Sequence, residues 1–245
     1  MRFTPLSGIA AAALILTAGI APVAHADADL AGTKVFLDPG HSGVWDNSLT
    51  RQVPNGRGGT KDCQTSGTST DAGYPEHTFN WEVVQDISGI LTARGVQVQL
   101  SRSNDSSLGP CIDERAAAAN AMAPDAIVSI HADGAPADGH GFHVNYSAPP
   151  LNAVQGGPAM QLASTMRDTL QNAGYTPSTY IGSGGMYGRA DLAGLNLAQY
   201  PAILVELGNM KNPGDAAQMT SADGRQKYAD AVAAGIINYL ATHKH

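Results

Sequence analysis

The chain has 245 residues, 43% of them hydrophobic and 14% charged, and a formal net charge of −7 at pH 7. That length suits one domain with a full core. An acidic chain without a Lys/Arg cluster argues against nucleic acid as a partner and gives no help in binding an anionic surface.

At the N-terminus, Arg2 precedes an apolar run from Ile9 to Ala21, and Pro22-Val23-Ala24-His25-Ala26 puts small residues at Ala24 and Ala26. This is the pattern of a secretory signal peptide cut before Asp27. The run is short for a membrane span of roughly 20 residues. Residues 1–26 are therefore expected to be a signal peptide and residues 27–245 a single secreted domain, placed in the periplasm or cell wall. No stable membrane insertion is expected after cleavage, and a monomer is expected. Cys63 and Cys111 both lie in the exported part. In an oxidising compartment a pair outside any Cys-x-x-Cys spacing is expected to form a disulfide.

The first strand is read at Lys34 to Asp38, followed by a long polar stretch from Ser42 to Tyr74. A loop of that length inside a compact domain is often functional. Phe79, Val83, Ile87, Ile90 and Leu91 recur at helical spacing, which predicts a helix from Glu76 to Arg94, stopped by Gly95. Val96 to Leu100 reads as a strand and Ile112 to Met122 as a short Ala-rich helix. Asp125 to His131 is a buried strand, Gly141 to Tyr146 another, and Pro158 to Ala173 an amphipathic helix. Gly182 to Gly188 reads as loop, Ala202 to Leu207 as an apolar strand, and Gly224 to Thr242 as the last helix. Short β-rich runs alternating with helices predict an α/β fold with a largely parallel sheet.

Three polar residues stand at the C-terminal ends of apolar strands: His41, His131 and Glu206. Ligand sites of open parallel sheets gather at those ends, so the three residues can meet in one crevice. Two histidines and a carboxylate make a common shell for a catalytic zinc. Glu76, at the start of the first long helix, supplies a second acid. One acid completes the metal shell, and the other takes a proton from the bound water. Each residue also has an ordinary reading: a hydrogen-bonded histidine at a strand end, or a glutamate favouring a helix dipole. A carboxylate in the apolar strand at Glu206 needs a cation or a hydrogen-bonding partner. His77, His140 and His143 compete as ligands, whereas His243 and His245 belong to a solvated tail. No G-x-S-x-G turn of a serine hydrolase is present.

Asp38-Pro39-Gly40-His41-Ser42-Gly43, Ser129-Ile130-His131-Ala132-Asp133 and Pro201-Ala202-Ile203-Leu204-Val205-Glu206-Leu207-Gly208 resemble, in order, three motifs of the zinc-dependent N-acetylmuramoyl-L-alanine amidases of the amidase-3 family. Arg102 with Asp105, and Arg115 with Ala119-Asn120, match weaker signatures between them. The ordered set spans nearly all of residues 27–245. The resemblance implies zinc held by His41, Glu76 and His131, with Glu206 as the catalytic carboxylate. It also implies a twisted, mostly parallel sheet of about six strands with helices on both faces. The implied substrate is peptidoglycan or a muropeptide, cut between the lactyl group of N-acetylmuramic acid and L-alanine. Asp133 departs from the family, which usually has an amide side chain there. Two other readings compete. A zinc carboxypeptidase acting on the peptide stem would use Arg189 to hold a free carboxylate. A non-catalytic wall-binding protein would lack a ligand or the base.

Overall fold

Short apolar runs bounded by polar loops are what parallel strands covered on both faces require, and the computed structural model arranges them so. It describes Met1 and residues 30–243; the rest of the expected signal peptide, its cleavage point and His245 lie outside these. In chain order the elements are β1 (Lys34–Pro39), β2 (Gln52–Pro54), β3 (Thr60–Asp62), α1 (Glu76–Thr92), β4 (Gln97–Leu100), α2 (Ile112–Met122), β5 (Ala126–Asp133) and β6 (His143–Ser147). They continue with α3 (Ala153–Gly156), α4 (Pro158–Asn172), β7 (Met186–Arg189), α5 (Ala193–Leu197), β8 (Ala202–Asn209), α6 (Pro213–Thr220) and α7 (Ala222–Thr242).

Six strands form one sheet in the order β4-β1-β5-β8-β6-β7. The first four run parallel, β6 lies antiparallel to β8, and β7 is parallel to β6. Side chains alternate across this sheet. Val35 and Leu37, Val128 and Ile130, and Ile203 and Val205 pack with Val83, Ile87 and Leu91 of α1, Leu162 and Met166 of α4, and Val232 and Ile236 of α7. Burying each such side chain contributes roughly 1.5–3 kcal/mol. On the opposite face, Phe36, Ile127, Ala202 and Leu204 pack with Ala119 of α2 and Leu195 of α5. The expected architecture of about six mostly parallel strands with helices on both faces is thus the one that forms. On the second face the same alternation brings polar residues to the C-terminal half of the parallel strands: Asp38, Ser129, His131 and Glu206.

The polar stretch from Ser42 to Tyr74 is not structureless. It holds a 3-10 turn at Asn47–Thr50 and the antiparallel hairpin of β2 and β3. Leu49, Val53, Cys63 and Cys111 give it a small core of its own, and Cys63 and Cys111 form the expected disulfide, tying the hairpin to the start of α2. The hairpin tip reaches across the second face, where the Arg57 guanidinium donates to Ser147 Oγ, the Pro149 carbonyl and Asn196 Oδ1 at 3.0, 2.6 and 3.1 Å. The Gly182–Gly188 segment is loop only in its first half. Met186–Arg189 is drawn into the sheet as the edge strand β7 by pairing with β6, a tertiary effect that its glycine content hides. The short helices α3, α5 and α6 were not expected either.

Candidate active site

His41 follows β1 on a turn that few residues adopt: its φ is +65°, in the left-handed region uncommon for non-glycine residues. Buried arginines hold it there. Arg115 donates to the carbonyls of His41, Pro39 and Pro110 at 2.6, 3.0 and 2.9 Å and to Asp38 Oδ1 at 2.8 Å. Arg102 donates to the carbonyls of Pro39 and His77 and to Asp105 Oδ1. Asp38 also accepts from Ser101 and Ser129. Burial alone would raise its pKa, but the Arg115 charge and these hydrogen bonds outweigh it and hold the carboxyl well below the usual range.

Glu76 opens α1. Pro75 closes a bridge with Ser69 and, with no N–H to give, starts the helix without loss. The helix N-terminus favours the carboxylate. Glu76 Oε1 lies 2.9 Å from both His41 Nε2 and His131 Nδ1, and backbone N–H groups donate to it, Thr68 to Oε2 and Ala132 to Oε1. The imidazoles meet edge to face with centroids 4.8 Å apart. One ligand atom from each of His41, Glu76 and His131 lies within 4.8 Å of the others. On its outer side His41 Nδ1 sits 2.9 Å from the Thr65 carbonyl, which makes Nδ1 the N–H and turns the Nε2 lone pair inward. Burial works against charging either partner; even so, the pair pushes the His41 pKa up and the Glu76 pKa well down.

Glycine lets the backbone approach so closely. A Cβ on Gly40 would lie 2.2 to 2.7 Å from atoms of the His131 ring, and one on Gly67 would lie 2.8 Å from Glu76 Oε2.

Glu206 is the direct register partner of His131 across β5 and β8, so the strands bring the fourth expected residue beside the cluster without placing it inside. Its Oε2 is buried with no hydrogen-bond partner among the described residues. Burial, followed by the neighbouring Glu76 and Asp133 charges, raises its pKa well above the ordinary range, against a smaller opposing effect of Arg189. A cavity of about 130 Å³ runs from His41 and His131 under the hairpin, walled by Phe36, Ile127 and Leu195.

The competing histidines are elsewhere. His77 pairs with Asp105 at 2.9 Å, His140 lies in a loop held by Thr179, and His243 stacks on Tyr239. His143 is on β6, register partner of Glu206 on the side away from His131. Asp133 accepts from the Gly134 N–H at the strand end. The Nε and Nη2 edge of Arg189 is taken by Asp191, at 2.7 and 2.5 Å, so it is not presented as a free carboxylate receptor. Sequence reasoning missed the Thr65 carbonyl, the Thr68 and Ala132 N–H groups and the Asp38–Ser129 contact. The Arg102 and Arg115 signatures were the only signal of the scaffold that holds His41.

Residues 35–238 match the sequence model of a family described as N-acetylmuramoyl-L-alanine amidase. The chain is 65% identical over 215 residues to N-acetylmuramoyl-L-alanine amidase Rv3717 of Mycobacterium tuberculosis, covering 88% of this chain and 89% of that one. Its fold is similar to the crystal structure of the N-acetylmuramyl-L-alanine amidase Ami1 of Mycobacterium smegmatis, with a TM-score of 0.87 and 60% identity over 88% of this chain and all of that one. It is also similar to the apo form of Ami1 of Mycobacterium abscessus, with a TM-score of 0.85 and 65% identity over 86% of this chain and 99% of that one.

Proposed function

The chain belongs to the amidase-3 family of N-acetylmuramoyl-L-alanine amidases, and we propose that it is a secreted, zinc-dependent peptidoglycan hydrolase in which His41, Glu76 and His131 hold the metal and Glu206 carries the proton. The bond cut is the amide between the lactyl group of N-acetylmuramic acid and L-alanine of the peptide stem. One observation carries the reading: two imidazoles and a carboxylate converge on one buried point, with an unpartnered carboxylate in register beside them.

The donor set fits zinc, which takes nitrogen and oxygen ligands and keeps an open position in catalytic sites. The cluster's electrostatics fit as well. Glu76 lies between two imidazoles and is held anionic by positive charge, a role a divalent cation fills with both rings neutral. When bound, zinc polarises the scissile carbonyl and lowers the pKa of a water molecule to about 7.

Glu206 takes one proton from the attacking water as the new C–O bond forms. It returns that proton to the nitrogen as the C–N bond breaks, leaving a lactyl carboxylic acid and a free alanyl amine. A cation at the neighbouring cluster favours the carboxylate form of Glu206 that this task needs, against the Glu76 and Asp133 charges. His41 and Glu76 stay fixed throughout, since the Thr65 carbonyl and the Thr68 and Ala132 N–H groups leave them little room to turn.

Secretion is supported by the Arg2–Ala26 pattern and by the disulfide, which persists in oxidising compartments. No described helix is long and apolar enough to cross a membrane. We take residues 27–245 as one catalytic domain acting as a monomer. The experiment is mass spectrometry of a peptidoglycan digest, with metal analysis of the same protein. Release of intact peptide stems, about one zinc per chain, and loss of both in His41→Ala and His131→Ala are expected. Removal of a single terminal stem residue would replace this reading with a carboxypeptidase.

A further inference from the structure

The strands of the catalytic face fix a row of three side chains. His131 on β5 is in register with Glu206 on β8, and Glu206 is in register with His143 on β6. Register partners on neighbouring strands share a face of the sheet, and across the antiparallel pair of β8 and β6 their Cβ atoms stand about 4.5–5.5 Å apart. Glu206 therefore has two immediate flanks on the sheet. One is the side of the candidate metal ligands, and the other is His143.

His143 is 1% exposed. Its ring stands edge-on to Tyr180 and to Tyr187, with centroids 6.0 and 6.1 Å away, so two aromatic side chains set its orientation. Its Nδ1 is buried with no hydrogen-bond partner among the described residues. Asn145 Oδ1 and Glu206 Oε2 beside it are also buried without partners among the described residues. Buried polar atoms are paired in the great majority of cases, and exceptions call for an explanation, a catalytic role among them. Burial pushes the His143 pKa down to about 4, so at neutral pH the imidazole is uncharged and carries one acceptor nitrogen.

We propose that His143 is a further catalytic residue, an acceptor for the N–H of the scissile amide that orients the departing nitrogen toward Glu206. The inference rests on the amidase reading and on the role given there to Glu206. The scissile carbonyl belongs on the metal side of Glu206, because that is where water attacks. The nitrogen must also reach Glu206, because it receives the proton, but it does not belong at the metal. The flank that remains on the sheet row is His143. For the C–N bond to break with proton transfer, the nitrogen lone pair has to face Glu206, and holding the N–H on the other side fixes that geometry. No atom or electron moves through His143: the water proton goes to Glu206 and then to nitrogen, and the imidazole is unchanged at the end. The ligand class recognised is a secondary amide, with the peptide leaving past β6 and the glycan on the side of β5.

The test compares an N-acetylmuramoyl-L-alanyl peptide with its depsipeptide analogue, in which an ester oxygen replaces the scissile N–H. Wild type, His143→Phe and His143→Gln are measured for kcat and KM on both substrates, with zinc content on the same preparations. Loss of one transition-state hydrogen bond predicts that His143→Phe keeps zinc, loses about tenfold or more in kcat on the amide, and cleaves the ester within about twofold of wild type. His143→Gln, which retains an acceptor oxygen, recovers part of the amide rate. Because the amide-to-ester ratio is taken within one preparation, partial unfolding cancels from it. Equal losses on amide and ester, or an unchanged amide rate in His143→Phe, overturn the proposal. A wild-type enzyme that cleaves neither substrate refutes the amidase reading itself and the proposal with it.

Discussion

Replacing Gly67 by alanine tests how tightly the chain is drawn around the candidate metal ligands. Gly67 has φ +74°, and its added Cβ would stand 2.8 Å from Glu76 Oε2, 2.9 Å from His41 Cδ2 and 3.0 Å from His41 Nε2. Neither neighbour can retreat easily, because His41 is tied to Thr65 and Glu76 to Thr68 and Ala132. The left-handed backbone costs a non-glycine residue about 1–2 kcal/mol, and forcing a methyl into a packed site about 1–3 more. A total near 3 kcal/mol lowers Tm by roughly 6–12 °C at 2–4 °C per kcal/mol for a domain of this size.

Displacing a ligand or the groups that orient it also weakens metal binding by about tenfold or more. Two controls separate these effects. Gly73→Ala carries the conformational cost alone, since its φ is +86° with nothing within 4 Å, and it loses about 1–2 kcal/mol with zinc affinity intact. Gly40→Ala meets the His131 ring without positive φ and weakens zinc binding through contact. Calorimetry in chelator and a competition titration of zinc read the two quantities apart. Zinc affinity at the wild-type level in Gly67→Ala, or a Tm no lower than that of Gly73→Ala, refutes the reasoning.

With Glu206 in the proton-carrying role proposed for it, Glu206→Gln keeps size and removes the carboxylate, so zinc is retained while kcat falls by roughly 10²-fold or more; loss of zinc in metal analysis would make Glu206 a ligand instead. Cys63→Ser opens a loop closed over a sequence separation of 48, and the chain-entropy relation gives a loss of about 4 kcal/mol. Denaturant unfolding should register that loss with zinc content unchanged, and a thiol assay on unreduced, denatured wild type should find no free thiol.

Where a segment is long and its pattern is set by one neighbour, the sequence was legible. The apolar spacing of Phe79, Val83, Ile87 and Leu91 marks α1, and the runs before His131 and Glu206 mark the two central strands. The convergence of His41, His131 and Glu206 followed from one rule about strand ends. Other features depend on cross-strand register, which no single segment encodes. His143 becomes a neighbour of Glu206 only because β6 runs against β8. Met186–Arg189 becomes a strand only because β6 offers it an edge. The backbone groups that hold His41 and Glu76 carry no residue-type signal at all. Arg115 illustrates the intermediate case, visible as a signature but meaningless until Asp38, Pro39 and His41 surround it.

The place of β8 in the sheet has a consequence for how the enzyme comes into being. This strand is late in the chain, at Ala202–Asn209, yet it sits between β5 and β6. Without it, β4-β1-β5 and β6-β7 have no strand to join them. Each exposes an unpaired edge that invites pairing with another chain. Glu206 travels on the strand that closes this gap. A chain stopped before β8 therefore lacks Glu206 even when both histidines and Glu76 are already present, and the four residues stand together only once that strand has paired between β5 and β6.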